Sequence, residues 1–404
     1  MAQDKAKKSV AIVGTMDSKG PEHLFLKKTI ESMGHKTITI DIGTAELTGF
    51  KADFSVSGLI GNKKSDRSSI IESIIEKAKE IVLDLFHKGK IGAVISAGGG
   101  TGTFMATSIM KVLPLGVPKF MVSTVASRDM SQVIGTKDIT IMHSVVDFLG
   151  VNSISRIILE KAAGAVCGMS SYGSNNKNSL PRVALTLFGF ITEAAENIKS
   201  ILEQDNFEVI PFHANGTGGM AMEEMAGESF FDGILDLATH ELVDDMFGGY
   251  CRGVGPRRLF NPDAANIPRL VIPGGLDSAV LEFDHKNIPA EYKDRKIFFY
   301  DFRSAIRLTP DESRLLAETV AHKLNNSRNP TKILIPLKGW SEADREGDVL
   351  FDPQSSDMFC ESLEKSLNLD IEVVKVQYHI NDAGFAREAA GIMMNMITDN
   401  KGYG

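Results

Sequence analysis

The chain has 404 residues, 43% hydrophobic and 24% charged, with 44 basic against 52 acidic side chains and a formal charge of −8. This is the make-up of an ordinary globular protein; it excludes a disordered chain, a collagen and a disulfide scaffold, and its acidic balance argues against a nucleic-acid partner. No apolar run approaches the ~20 residues that cross a bilayer, and Met1–Val10 lacks the apolar stretch of a secretion signal. Ser9–Val13 is a short apolar run ending in glycine and predicts a buried strand. Glu22–Met33 carries Leu24, Leu26 and Ile30 among charges and predicts a helix. Lys36–Ile42 alternates and is β-branched, as a strand is. Ser68–Lys88 places Ile70, Ile71, Ile74, Ile75, Ala78, Val82 and Leu85 at helical spacing. A strand at Gly92–Ser96, a helix at Thr103–Val112, a strand at Lys119–Ser123 and a helix at Val151–Met169 complete the first half.

Ser170–Ser179 is polar and rich in turn formers, and reads as a linker. After it the alternation restarts. Strands are predicted at Arg182–Phe188, Phe207–Phe212, Ile234–Leu237, Arg269–Ile272, Ile297–Tyr300, Lys332–Ile335 and Ile371–Val376. Helices are predicted at Thr192–Asp205, Pro310–Asn325, Ser356–Leu367 and Asp382–Met396. Strand-helix alternation implies parallel sheets covered by helices. At roughly 150 residues per domain, two domains fit the length. The expected fold is therefore α/β, with two doubly wound, Rossmann-like domains whose mainly parallel sheets face a cleft. Their bounds are 1–170 and 181–404, with a linker at 171–180. Three scattered cysteines (Cys167, Cys251, Cys360) form neither a disulfide framework nor a spaced metal pair, which fits a reducing, cytoplasmic setting.

In doubly wound sheets, ligands sit beyond the carboxyl ends of the strands, so the loops there carry the functional reading. Gly14-Thr-Met-Asp-Ser-Lys-Gly20 follows the first strand. It offers Thr15, Asp17 and Lys19 just before a helix, and suits either an anion or a cap provided by Asp17 or Ser18. Asp41 closes the second strand and is a candidate for a ribose hydroxyl. The strongest signal is Ser96-Ala-Gly-Gly-Gly-Thr-Gly-Thr103. Glycines at 98, 99, 100 and 102 cost backbone entropy, and make sense where bare amides must approach a phosphate. Thr101 and Thr103 add hydroxyls. Ser123, Thr124, Arg128 and Asp129 follow the fourth strand. Arg128 suits phosphate oxygens, and Asp129 or Asp17 suits Mg2+; a surface ion pair is the other reading of Arg128 and Asp129.

In the second half, Phe212-His-Ala-Asn-Gly-Thr-Gly-Gly-Met220 repeats the pattern. Asn215, Gly216, Thr217, Gly218 and Gly219 form a second candidate anion loop, with His213 as a candidate acid or base. Asp277, His379 and Asp382 follow later strands at the same edge, Asp382 doubling as a helix cap. Tyr250–Arg258 is a basic, glycine-broken loop that reads as a lid or a dimer contact. The chain has no Gly-x-Ser-x-Gly elbow, His-Glu-x-x-His helix or Cys-x-x-Cys pair, which disfavours a serine hydrolase of the usual type and a metalloprotease.

These loops, in this order, resemble the Tm-1-like family, also known as uncharacterised protein family UPF0261. Matching stretches include Gly14–Gly20, Ser96–Thr103, Pro118–Ser127, Gly135–Asp147, Asn152–Arg156, Phe212–Glu223, Asp232–Leu237 and His379–Asp382. The resemblance implies an ATP-binding N-terminal domain, a second α/β domain and a homodimer. Plant relatives carry the module in front of a barrel and take part in resistance to viral RNA replication. The ATP role falls on Gly14–Gly20 and Gly98–Thr103. Two departures lie in the second domain: Ile272–Glu282 replaces a Ser-x-Gly-Ala-Leu-Asp-Met-Val-Asn-Phe-Gly pattern, and Asp301-Phe-Arg303 replaces His-Asn-Pro. Three functions are therefore expected to compete. One is an ATP-binding protein with a small substrate near His213. The others are a nucleotide-independent hydrolase, lyase or isomerase of a small acidic metabolite, and a non-catalytic regulatory module.

Overall fold

A computed structural model describes residues 8–45, 51–56, 66–172, 180–264 and 266–401. The chain divides into two compact units, 1–176 and 177–404. From residue 173 to 179, the expected linker lies outside the described residues.

The N-terminal unit is built on six parallel strands: β1 (Ser9–Gly14), β2 (Thr37–Asp41), β3 (Phe54–Ser55), β4 (Ile91–Gly98), β5 (Lys119–Ser123) and β6 (Ile139–His143), in the order β3-β2-β1-β4-β5-β6. Helices α1 (Met16–Ser32), α2 (Arg67–His87), α3 (Gly100–Met110), α4 (Ser131–Ile134) and α5 (Ser153–Ser171) connect or follow them. Alternation along β1 explains why both faces are covered. Val10 and Ile12 pack with Leu26, Ile30, Leu159 and Ala163 of α1 and α5. Ala11 and Val13 point the other way, onto Ile74, Ala78 and Val82 of α2 and Ile109 of α3. Helix α2 buries Ile74, Ile75, Ala78, Val82 and Leu85 at three- and four-residue spacing, and Asp66 caps it by accepting from the Ser69 N–H.

Two helices begin earlier than their apolar pattern predicts. Helix α1 starts at Met16 rather than Glu22, with a break at Lys19 (φ −126°); Pro21 supplies no N–H for a regular turn there. Helix α3 starts at Gly100 rather than Thr103, so most of the glycine loop is the first turn of a helix. Strands β3 and β6 were outside the predicted set, being short or lying at the edge of the sheet.

The C-terminal unit has its own parallel sheet: β7 (Arg182–Leu187), β8 (Glu208–His213), β9 (Gly233–Ala238), β10 (Arg269–Gly274), β14 (Thr331–Pro336) and β15 (Glu372–Val376), ordered β15-β14-β10-β9-β7-β8. Its helices are α6 (Thr192–Gln204), α7 (Gly218–Gly227), α8 (Glu241–Phe247), α9 (Pro310–Asn325), α10 (Pro353–Ser366) and α11 (Ala383–Lys401). Leu270, Ile272 and Leu334 face the layer of α6 and α11. Val271, Ile333 and Ile335 face α9 and α10. Helix α9 matches its predicted bounds because Pro310 opens it and a reciprocal Thr309–Glu312 capping box fixes its start. One expected strand belongs elsewhere. Residues Ile297–Phe299 (β12) pair antiparallel with β13 (Ser304–Arg307), which pairs antiparallel with β11 (Ser278–Leu281) in a small second sheet. Both units are thus doubly wound α/β folds. No helix among the described residues is long and apolar enough to cross a membrane.

Candidate functional site

In the N-terminal unit, strand order reverses between β1 and β4, where a doubly wound sheet opens a crevice. The Gly14 and Gly98 turns flank that point. Gly98 is tightly seated, since a Cβ there would lie 3.3 Å from the Gly102 Cα. The next glycines are different. A Cβ on Gly100 would meet nothing within 4 Å, one on Gly99 only the Thr124 hydroxyl at 3.7 Å, and one on Gly102 only the Thr15 hydroxyl at 3.8 Å. Gly100 and Thr101 are exposed, and no side chain caps α3. The first amides of a helix lack intrahelical partners and carry the positive end of its dipole. The structure therefore brings Thr15 and Thr124 beside Gly99, Gly100 and Gly102 at one uncapped helix start, with Gly100 and Thr101 exposed.

Other expected members of this site are engaged elsewhere. Asp41 is fully buried and accepts from the N–H groups of Met16 and Gly43, both at 2.9 Å, and from the Ser55 hydroxyl at 3.3 Å. Burial pushes its carboxyl up, against those hydrogen bonds. It fastens β2 to the β1 turn and is not offered to a ribose. Thr103 and Ser123 are also fully buried and share a 2.7 Å hydroxyl hydrogen bond, so neither faces a ligand. Lys19 donates to the Phe148 carbonyl. Gly14 is a glycine because His23 packs on it, with a built Cβ only 1.8 Å from the ring. Of the two carboxylates considered for Mg2+, Asp129 is exposed and accepts from the Ser131 N–H, which holds it below the usual range. Asp17 accepts from Thr44 and Ala45 through Oδ2, leaving a buried Oδ1 without a protein partner. Arg128 is exposed.

The second glycine loop has a different fate. Glu241 places one oxygen against the Gly216 N–H at 2.7 Å and the Gly219 N–H at 3.2 Å. The expected anion site is filled by the protein's own carboxylate. Gly219 must be glycine, since a Cβ would lie 2.1 Å from Glu241 Oε2. Asn215 accepts from the Gly218 N–H and the Thr217 hydroxyl. His213 is exposed at the strand end. Behind the loop lies a buried ionic cluster that the sequence reading missed. Arg258 reaches Asp236 at 2.5 and 2.6 Å and Glu241 at 2.9 Å, while Arg269 binds Glu223 twice at 2.7 Å. Asp236 stays ionised: burial alone would raise its pKa, but the two arginines pull it below the usual range. In the Tyr250–Arg258 loop, read as a lid or a dimer contact, Arg258 is fully buried, while Arg252 and Arg257 are exposed.

At the carboxyl ends of β10, β14 and β15, three expected residues do come together. Asp277 accepts from Ser341 Oγ at 2.8 Å, the Ser341 carbonyl meets His379 Nε2 at 2.9 Å, and Arg345 bridges His379 Nδ1 (2.9 Å) and Asp382 (3.0 Å). Asp382 also accepts from the His379 N–H. Burial lowers the His379 pKa. The missed member is Asp344. It lies 3.3 Å from Arg307, which also approaches Asp277 at 3.8 Å. Burial, with Asp277 beside it, lifts the Asp344 carboxyl to about 7. A cavity of about 70 Å³ lined by Trp340, Asp344, Phe351 and Ser356 adjoins it.

A third cluster joins His240, Asp244 and Cys251, all buried. Burial lowers His240 to about 3, lifts Asp244 to about 6 and pushes the Cys251 thiol up to about 12. The spacing His240-x3-Asp244 was the legible signal for it; the return of Cys251 was not.

The folds and their strand-end loops define a protein of two doubly wound α/β units, each with polar clusters at the carboxyl edge of its sheet. Comparison with known proteins gives its family. Residues 8–175 match the N-terminal domain, and residues 180–397 the C-terminal domain, of the uncharacterised protein family UPF0261, and the chain belongs to that family. A UPF0261 protein of Clostridium tetani is 35% identical over 96% of this chain and 99% of its own length. The ToMV resistance protein Tm-1(GCR237) of Solanum lycopersicum is 31% identical over 93% of this chain and 54% of its own. Among solved structures, a UDP-GlcNAc 2-epimerase of Methanocaldococcus jannaschii aligns over 96% of this chain and 92% of its own, at 10% identity and a TM-score of 0.20.

Proposed function

We propose that the N-terminal unit binds ATP, with its phosphates on the Gly99–Gly102 turn of α3 and the Thr15 and Thr124 hydroxyls alongside. One observation carries this reading: no side chain caps the start of α3 at the switch point, and a Cβ built on Gly99, Gly100 or Gly102 meets at most a threonine hydroxyl. A helix start with bare amides favours an anion through both hydrogen bonds and the helix dipole. A Mg2+ accompanying the nucleotide would find Oδ1 of Asp17 without a protein partner. Titration calorimetry with ATP and Mg2+ is the test. A built Cβ at Gly99 or Gly100 meets no clash, so Gly99→Val and Gly100→Val leave the fold intact while placing a side chain over the helix start. The expected result is saturable binding that weakens about tenfold or more in both variants. Absence of heat at millimolar ATP, or unchanged binding in both folded variants, sinks the reading. Binding without turnover of any substrate would place the protein among regulatory modules.

A second reading, acid-base chemistry on a small acidic metabolite without a nucleotide, is favoured by the Asp277–Asp344 pair. Two buried carboxylates share one guanidinium, and one carboxyl keeps a proton near neutrality, as a general acid or base requires. Turnover of a metabolite without ATP, abolished in Asp344→Asn, supports it.

A further inference from the structure

In the C-terminal sheet, strand order reverses between β7 and β9. His240 follows β9 by two residues and so stands at the crevice where such sheets take ligands. Its ring is stacked on Phe188, with centroids 4.0 Å apart. Asp244 lies one helical turn on, and positions i and i+4 of α8 share a face. Two glycines then bring Cys251 back. Gly248 (φ +69°) ends the helix in the left-handed region, and Gly249 passes so close to Asp244 that a Cβ would lie 2.4 Å from its Oδ1.

We infer that His240, Asp244 and Cys251 form a binding site for one divalent cation of the zinc class, with a coordination position left for water or a substrate oxygen. Their donor atoms lie within 4.8 Å of one another. Bonds of about 2.0–2.3 Å to a tetrahedral ion bring such donors closer still, so side-chain adjustments suffice. His240 is only 2% exposed, and its Nδ1 has no hydrogen-bond partner, which is costly for a buried polar atom. Asp244 already has the outer-sphere support that orients a ligating carboxylate. It accepts from the Val280 N–H at 2.8 Å and the Cys251 N–H at 2.9 Å. Charge also closes: carboxylate, thiolate and neutral imidazole balance a dication in a buried place, and sulfur with nitrogen selects zinc over magnesium or calcium.

The test uses the full chain, stripped with a chelator and dialysed, then titrated with Zn2+ and, for spectroscopy, Co2+, without nucleotide. One equivalent of either ion is expected per chain, and the cobalt form should show tetrahedral d–d bands and a sulfur-to-cobalt charge-transfer band. Cys251→Ser, nearly isosteric, should abolish the charge-transfer band and weaken zinc at least tenfold; His240→Asn should weaken it comparably. Circular dichroism checks both folds, and if His240→Asn fails to fold, Cys251→Ser decides alone. No stoichiometric binding to the wild type, a cobalt spectrum without the sulfur band, or undiminished binding by folded Cys251→Ser would overturn the site.

Discussion

The turns Gly98–Gly102 and Gly216–Gly219 follow a strand, are glycine-rich, carry a threonine and open a helix. Their amides meet opposite fates. In the first, no side chain caps the helix start, and a Cβ built on Gly99, Gly100 or Gly102 meets at most a threonine hydroxyl. In the second, Glu241 holds Gly216 and Gly219 from inside and is itself held by Arg258. A glycine-rich helix start therefore announces an anion without saying whose. In one unit the helix dipole is left for a ligand; in the other it is spent on an internal carboxylate, and the glycines exist to let that carboxylate in.

The largest effect that can break this comparison is Glu241→Ala. It removes one of the two carboxylates that Arg258 binds and frees both amides, and breaking a buried ion pair costs about 3–5 kcal/mol. Urea unfolding should show that loss, and acetate at high concentration should restore part of it by entering the vacated place. No recovery of stability with acetate would show that the amides were not the carboxylate's reason for being there. Next comes Gly219→Ala, which forces a Cβ against Glu241 and should cost about 1–3 kcal/mol. The matching Gly100→Ala should stay within about 1 kcal/mol of wild type, and equal losses at both positions would erase the contrast.

A pH prediction follows from Asp344. Its folded pKa lies above the ordinary 3.8, at about 7, so the folded state binds the proton more tightly than the unfolded. Its contribution is favourable below about pH 4 and declines as pH rises towards 7, by at most about 1.4 kcal/mol per unit. Asp344→Asn should flatten that slope in denaturation curves taken from pH 4 to 8; an unchanged slope contradicts the assignment. The smallest effect concerns Asn215, which accepts from the Gly218 N–H at 3.2 Å. Asn215→Ala removes that hydrogen bond and should cost about 1 kcal/mol in thermal unfolding.

Much of the architecture was legible because hydrophobic period is a local property. The β-branched runs and the three- and four-residue spacing of Ile74, Ala78 and Val82 located strands and helices to within a few residues. Helix starts at Met16 and Gly100 were less legible, since glycine and polar first turns carry no apolar period. Of the candidate site, the open Gly99–Gly102 turn was read from bare glycines. Asp41, Thr103 and Ser123 were misassigned because a polar residue at a strand end looks the same whether it faces a ligand or a neighbouring strand.

The order of residues alone set two parallel α/β units, their helix faces and the places where the backbone must lack side chains. Only the tertiary structure decided which polar groups were already satisfied. Glu241 reaches the Gly216 amide across 25 positions, Arg269 reaches Glu223 across 46, and Ser341 reaches Asp277 across 64. The reason is physical: period and propensity act over a few neighbouring residues, whereas a buried charge is stable only where the packed chain happens to deliver its partner.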